Sequence, residues 1–310
     1  MKKARLLAVV VVVLVTAGAV AMVAGCGSSS SSGSSASPSA AASLTPTQSF
    51  TKILGHAPSG EAATIATKGQ VVVVDDADYP PQSYINKSGT LIGFDVDVAK
   101  EVGVVLGIPV KVVTAQWDSI PTGLNVDRFD VSIGSMTITK DRQKVLSFST
   151  PYYYTQAQTI VKQGAPLLTT LKSMKGKSIG VGTQTTYFYY LTANKGINVK
   201  SYGTDAASFP DLKNGRLNGV MTAALPAAQA ISSGYPFVFS GTPYYYEPLA
   251  FATKKGETDW QALLTYAVTT MHQNGSLTTM AKKWYHGFDP TQTPKAGIPT
   301  YDQAMAALKK

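Results

Sequence analysis

The sequence predicts an α/β protein of two lobes, each a mostly parallel sheet flanked by helices. Three observations predict it. Strand and helix patterns alternate from Gly69 to about Ser149, a second such block runs from Leu171 to Ala252, and further helical patterns return after it. A chain of 310 residues, 44% apolar with 3 Trp, 16 Tyr and 10 Phe, holds material for one large or two moderate cores.

The first residues stand outside the lobes. Lys2, Lys3 and Arg5 precede an apolar run from Leu6 to Ala24 that ends at Val23-Ala24-Gly25-Cys26, the pattern of a secretory signal over residues 1–25. Cys26 is the single cysteine, so it cannot form an intramolecular disulfide. Its place after Val-Ala-Gly resembles the lipobox of bacterial lipoproteins, which implies that Cys26 is lipidated and becomes the mature N-terminus. A retained transmembrane anchor and an ordinary cleaved signal are the other readings of the run. Residues 26–46 are read as a flexible tether, because Gly27–Ser43, almost all Gly, Ser and Ala, has too little apolar surface to offset the entropy of ordering. Residues 47–68 mix apolar side chains with Gly55, Pro58 and Gly60, and their structure is left open.

The β-branched run Val71–Val74 reads as a buried strand. Acids and prolines then break the pattern until Asp95, which is read as the N-cap of a helix with Val98, Val102, Val105 and Leu106 on one face. Gly107-Ile108-Pro109 stops that helix. A strand at Val110–Val113, a short helix at Ile120–Val126, a strand at Phe129–Ile133 and a helical turn at Lys140–Lys144 follow. In the second block Ser178–Val181, Val199–Tyr202 and Leu217–Met221 read as strands. Tyr187–Asn194, Ser208–Asn214 and Leu225–Ser232 read as its helices. A last strand, Leu249–Ala252, precedes helices at Thr258–Gln273 and Ser276–Trp284. Tyrosine triplets at 152–154 and 244–246 mark the expected crossovers, with ordinary strand packing as their plainer reading. The predicted organisation is a first lobe of 69–154 with 247–290, a second of 155–246, and a tail of 291–310.

Net charge is +9, and loss of Lys2, Lys3 and Arg5 with the signal brings it to about +6. The basic residues are scattered and the signal directs the chain out of the cytoplasm, so no nucleic-acid partner is expected. His56, His272 and His286 lack metal-ligand spacing, and no cofactor is expected. Gly180-Val181-Gly182 is too short for a nucleotide fingerprint. No Gly-x-Ser-x-Gly elbow is present.

Several stretches, in order, resemble the bacterial extracellular solute-binding protein family 3, which includes binding proteins for polar amino acids. They are Gly93-Phe94-Asp95-Val96-Asp97-Val98-Ala99, Phe129-Asp130-Val131, Met136-Thr137-Ile138-Thr139-Lys140-Asp141-Arg142, Phe148-Ser149-Thr150-Pro151-Tyr152, and Leu171–Val181 with Lys175-Gly176-Lys177 inside it. The resemblance runs from about Gly69 to Phe288. It implies the type II periplasmic-binding-protein fold, with lobes joined by a two-strand hinge that closes on a ligand.

It also implies a site. A carboxylate buried between lobes needs its charge matched, and Arg offers two parallel donors. The family's carboxylate-binding Arg falls on Arg142, with Ser135 and Thr137 offering hydroxyls and backbone N–H groups beside it and Thr185 and Thr186 closing from the second lobe. Tyr79 and Trp117 match the aromatic and apolar ligand contacts. Two departures stand out. Gln184 replaces a turn glycine, and Asn218 and Ala223 stand where the family's strand carries acids, the second of them the ammonium-binding one. Either Asp76 or Glu247 substitutes, or the ligand lacks an α-ammonium. The implied function is capture, by a lipid-anchored monomer, of a small carboxylate-bearing ligand, an amino acid on the family's pattern, for delivery to an ABC permease. An enzyme on the same scaffold, such as a cyclohexadienyl dehydratase, and a sensor without a transport role are the rivals. The expected acid of the cleft strand is missing, which speaks against the enzyme.

Overall fold

The computed structural model describes residues 44–294 and 297–308, so the predicted signal, Cys26 and nearly all of the tether lie outside the described residues. The description begins with two helices, α1 (Pro46–Leu54) and α2 (Gly60–Lys68), over the segment that sequence pattern left open. Thr45 and Pro46, counted with the tether, belong to this unit. Thr45 and Gln48 form a reciprocal capping box, and proline at the first helical position has no N–H to leave unbonded. Thr45→Ala is expected to lower stability by about 1 kcal/mol in urea unfolding, the usual loss for a threonine cap.

Strand β1 (Val71–Asp75) leads into a small antiparallel unit of β2 (Asp78–Tyr79), β3 (Ser83–Ile85) and β4 (Leu91–Ile92). Then come α3 (Phe94–Leu106), β5 (Val110–Thr114), α4 (Ile120–Asn125), β6 (Val131–Thr137) and the short α5 (Arg142–Val145). The 17-residue β7 (Leu146–Lys162) carries the chain out of the first sheet. The second region holds β8 (Ser178–Gly182), α6 (Thr186–Thr192), β9 (Asn198–Tyr202), α7 (Phe209–Lys213), β10 (Gly219–Ala223), α8 (Ala224–Ser232) and β11 (Phe237–Phe239). Strand β12 (Tyr246–Lys254) returns the chain, followed by α9 (Thr258–Gln273), α10 (Ser276–Trp284) and α11 (Tyr301–Ala307).

The first lobe's sheet has the order β5-β1-β6-β12-β7, with β1 parallel to β5 and β6. The second lobe's sheet runs β9-β8-β10-β7-β11, again with a parallel half. β7 belongs to both. β12 pairs antiparallel with it from Tyr246 opposite Gln156 to Lys254 opposite Leu146, making a two-strand ribbon between the lobes. In the first lobe, α3 and α9 cover one sheet face, over a core that includes Val73, Ile133, Tyr152, Phe251, Trp260 and Leu264. The other face packs Ile120, Leu124, Phe129 and Met136. The second lobe repeats this with Ile179, Val181, Leu191 and Met221 on one face and Ile160, Phe209, Leu212 and Val220 on the other.

Two sequence expectations change. Gly93, not Asp95, is the N-cap of α3, and Asp95 lies inside the first turn with its side chain fully buried. The motif fixes Asp95 for its tertiary bonds: its carboxylate accepts from Tyr152 Oη at 2.7 Å and Ser135 Oγ at 2.6 Å. The tail is partly helical. Tyr301 of α11 stacks edge-on with Tyr245, 5.3 Å between centroids, in the second lobe's core. The tyrosine triplets lie at the crossovers, Tyr152–Tyr154 on β7 and Tyr246 at the start of β12, and Tyr152, Tyr153 and Tyr245 also pack as buried core residues. Two further motif acids act inside the first lobe. Asp130 binds Lys68 Nζ at 2.7 Å and the N–H of Val72 at 2.6 Å, while Asp97 accepts from Trp284 Nε1 at 2.8 Å and so ties α3 to α10.

Candidate functional site

Between the lobes lies a small cavity of about 50 Å³. The eight residues singled out from sequence (Asp76, Tyr79, Trp117, Ser135, Thr137, Arg142, Thr185 and Thr186) all line it. Those from the first lobe sit at the carboxyl ends of β1, β5 and β6 and in the segments that follow, where open α/β sheets place ligands.

Arg142 opens α5, and its N–H donates to Thr139 Oγ1 at 3.1 Å. Its guanidinium donates to Thr137 O at 3.0 Å and, across the cleft, to Gln184 O at 3.2 Å, using two of five donors. The cation sits 5.3 Å from the centroid of Trp117, a cation–π contact that fixes the plane of the fork. Thr185 caps α6 by accepting from the N–H of Phe188 at 3.1 Å. Gln184 takes a left-handed φ of 54°, so the turn keeps a conformation that glycine adopts without strain.

The hydroxyls are less available than the sequence suggests. Ser135 lines the cavity, yet its N–H donates to Tyr152 Oη at 3.0 Å and its hydroxyl bonds Asp95 and Tyr153. Thr137 donates to Glu247 Oε1 at 2.8 Å, Thr186 reaches the same oxygen from the second lobe, and Tyr187 Oη donates to Oε2. Glu247, on the hinge strand β12, is 1% exposed and joins both lobes at the cavity wall. Thr204 Oγ1 adds a rim contact to Asp78 at 3.0 Å, so the lobes meet around the cavity.

Sequence reasoning missed Asp75, Tyr187 and Asp205, and named Glu247 only as a substitute. Asp205 follows β9, and its carboxylate accepts from the N–H of Gly182 at 2.5 Å and from Thr222 Oγ1 at 2.9 Å. Its preceding Gly-Thr carries no chemical motif, and its burial depends on β8 and β10, which are distant in sequence. Asp75 offered a weak signal as an acid closing a buried strand.

The cavity is rich in acid. Among the described residues Arg142 is the single Lys or Arg in its lining, against Asp75, Asp76, Asp205 and Glu247. Burial raises Asp205 to about 7 against the pull of its two hydrogen bonds, and raises Asp76 to about 6. Asp75 is pushed well above the carboxylate range by burial and by neighbouring Asp95, itself raised to about 7 by burial. Glu247 is raised by burial, opposed by three hydroxyl donors and the nearby guanidinium.

These raised values set a pH dependence. Each group binds protons more tightly folded than unfolded, so the penalty of charging it builds from roughly pH 4 to about 7 and stability falls as pH rises through that window. The ligand-free protein is expected to melt higher at about pH 5 than at about pH 8, by scanning calorimetry, because several acids lose their protons between those values. A melting temperature that climbs over that range would contradict this.

The profile described as "Bacterial extracellular solute-binding proteins, family 3" matches residues 71–287. The chain belongs to this family. The family-3 chain is 30% identical to the L-cystine-binding protein of Escherichia coli K12 over 239 residues, 76% of this chain and 90% of that one. It is 29% identical to the L-arginine-binding protein of Pseudomonas aeruginosa, over 73% of this chain and 91% of that one. Among solved structures it is similar to the P235GK mutant of the arginine-binding protein from T. maritima, with TM-score 0.70, 28% identity, and coverage of 73% and 100%. It is also similar to the ancestral amino acid-binding protein AncCDT-1, a precursor of cyclohexadienyl dehydratase, with TM-score 0.68, 28% identity, and coverage of 72% and 98%.

Proposed function

We propose that this family-3 protein captures an amino acid in its interlobe cavity and delivers it to an ABC permease, anchored outside the cytoplasm through a lipid on Cys26. The carrying observation is the charge pattern of the cavity: a guanidinium fork held by Thr137, Gln184 and Trp117, set among buried carboxylates. Arg142 takes the ligand carboxylate, and the acids take its positive charge. Tyr79 and Trp117 bound the side chain, and Thr185 and Thr186 bring the second lobe against it. The ligand favours the closed form because only that form supplies contacts from both lobes. The relatives bind cystine and arginine by name, which supports a polar or cationic amino acid. Calorimetric titration of the purified protein with L-amino acids, L-cystine and simple carboxylic acids tests this. One-to-one binding restricted to α-amino acids is expected, and binding of none of them would end the reading.

Buried Glu247 gives a second reading, since a carboxyl whose pKa is raised by burial is suited to general acid catalysis. Its oxygens are already committed to Thr137, Thr186 and Tyr187, which favours a structural post between the lobes. Turnover of a bound ligand, followed by proton NMR over hours, would restore the enzyme.

A further inference from the structure

The acid expected at the end of β10 is absent, for Ala223 stands there, yet the cavity has a carboxylate beside that strand. It is Asp205, reaching in from the turn after β9. Thr222, the neighbour of Ala223, donates to Oδ2 at 2.9 Å, and the N–H of Gly182 donates to Oδ1 at 2.5 Å. A Cβ on Gly182 would meet Oδ1 at 2.7 Å, so the glycine gives the carboxylate its seat. One bond to each oxygen leaves lone pairs on both for a further donor. Asp205 is 3% exposed, and none of the described cations pairs with it.

The other acids are less suited. Glu247 already accepts three hydroxyls, and Asp76 accepts the N–H of Asp78 and is only partly buried. Asp75, which also lines the cavity, has a buried Oδ2 with no partner within hydrogen-bond distance.

The geometry points to Asp205 as the residue that receives the ligand's α-ammonium, taking over from the acid missing at Ala223. This rests on the amino-acid reading above and deepens it. A zwitterion then spans the lobes, its carboxylate on Arg142 of the first and its ammonium on Asp205 of the second. Gly182 and Thr222 are positioning residues for that carboxylate.

The test titrates the full protein with L-amino acids and L-cystine, then with the tightest binder carrying hydrogen in place of its α-ammonium (5-guanidinopentanoate for L-arginine). Asp205→Asn should weaken the amino acid by at least ~100-fold, as truncating one partner of a buried charge pair does, and leave the des-amino analogue within ~3-fold. Thr222→Val, which keeps the carboxylate but removes an anchor, should weaken the amino acid roughly tenfold and spare the analogue, which holds the proposal testable if Asp205→Asn folds poorly. Unchanged amino-acid affinity in both variants overturns this assignment alone. Equal affinity of the unsubstituted protein for amino acid and analogue does the same, whereas binding of no amino acid at all overturns the parent reading with it.

Discussion

Arg142→Ala is expected to weaken amino-acid binding by roughly 100- to 1,000-fold in calorimetric titration, about 3–4 kcal/mol, the range for removing one side of a desolvated charge pair. The guanidinium is the cation of the cavity lining among the described residues, so nothing nearby can replace it. Burial lowers its pKa from the usual guanidinium value, opposed by Glu247. Arg142→Lys should recover only part of the loss. An ammonium keeps the charge but cannot bond Thr137 O and Gln184 O while presenting a flat pair of donors to a carboxylate. A loss below about fivefold in the alanine variant, with unchanged circular dichroism, would remove Arg142 from the carboxylate site.

Trp260→Ala should cost about 3–5 kcal/mol in urea unfolding, the loss usual for truncating a large buried aromatic. Trp260 is fully buried, lies 6.1 Å from the ring of Phe50, and donates its indole N–H to Asp130 O at 2.8 Å. One side chain therefore links α1, α9 and the entrance to β6. The substitution removes packing and leaves a buried carbonyl without its partner. A change near 1 kcal/mol would mean that α1 and α9 close the gap by collapsing.

The most legible elements are those whose pattern is long and local. α9 spans Thr258–Gln273 and α10 spans Ser276–Trp284, as their apolar spacing indicates. β7 hid because it is buried on both faces along much of its length and carries Pro151, so neither alternation nor an unbroken apolar run marks it. α11 had a readable start, the capping pair Thr300 and Gln303, but its seven residues are too short to stand without the second lobe's core. For the cavity, motif position led to residues at the strand ends. It could not reveal that Ser135 spends its hydroxyl on Asp95, 40 positions away, nor that Asp205 meets Gly182 and Thr222. Such partnerships arise from strands crossing in space, and no spacing along the chain encodes them.

The pairing of β7 with β12 also dictates an order of assembly. The chain departs on one strand and comes back on its immediate neighbour, so the intervening 157–245 form a loop with abutting ends. Every strand of that inserted lobe exists before β12 has been synthesised. The opening half of the chain, by contrast, lacks the strand that sits between β6 and β7, and lacks Trp260, until translation is well advanced. Once the insert has folded on its mostly local contacts, it draws residues 156 and 246 together and shortens the loop that the outer lobe has to close. This topology lets the inserted lobe be complete before the outer lobe, whose core waits for β12 and Trp260.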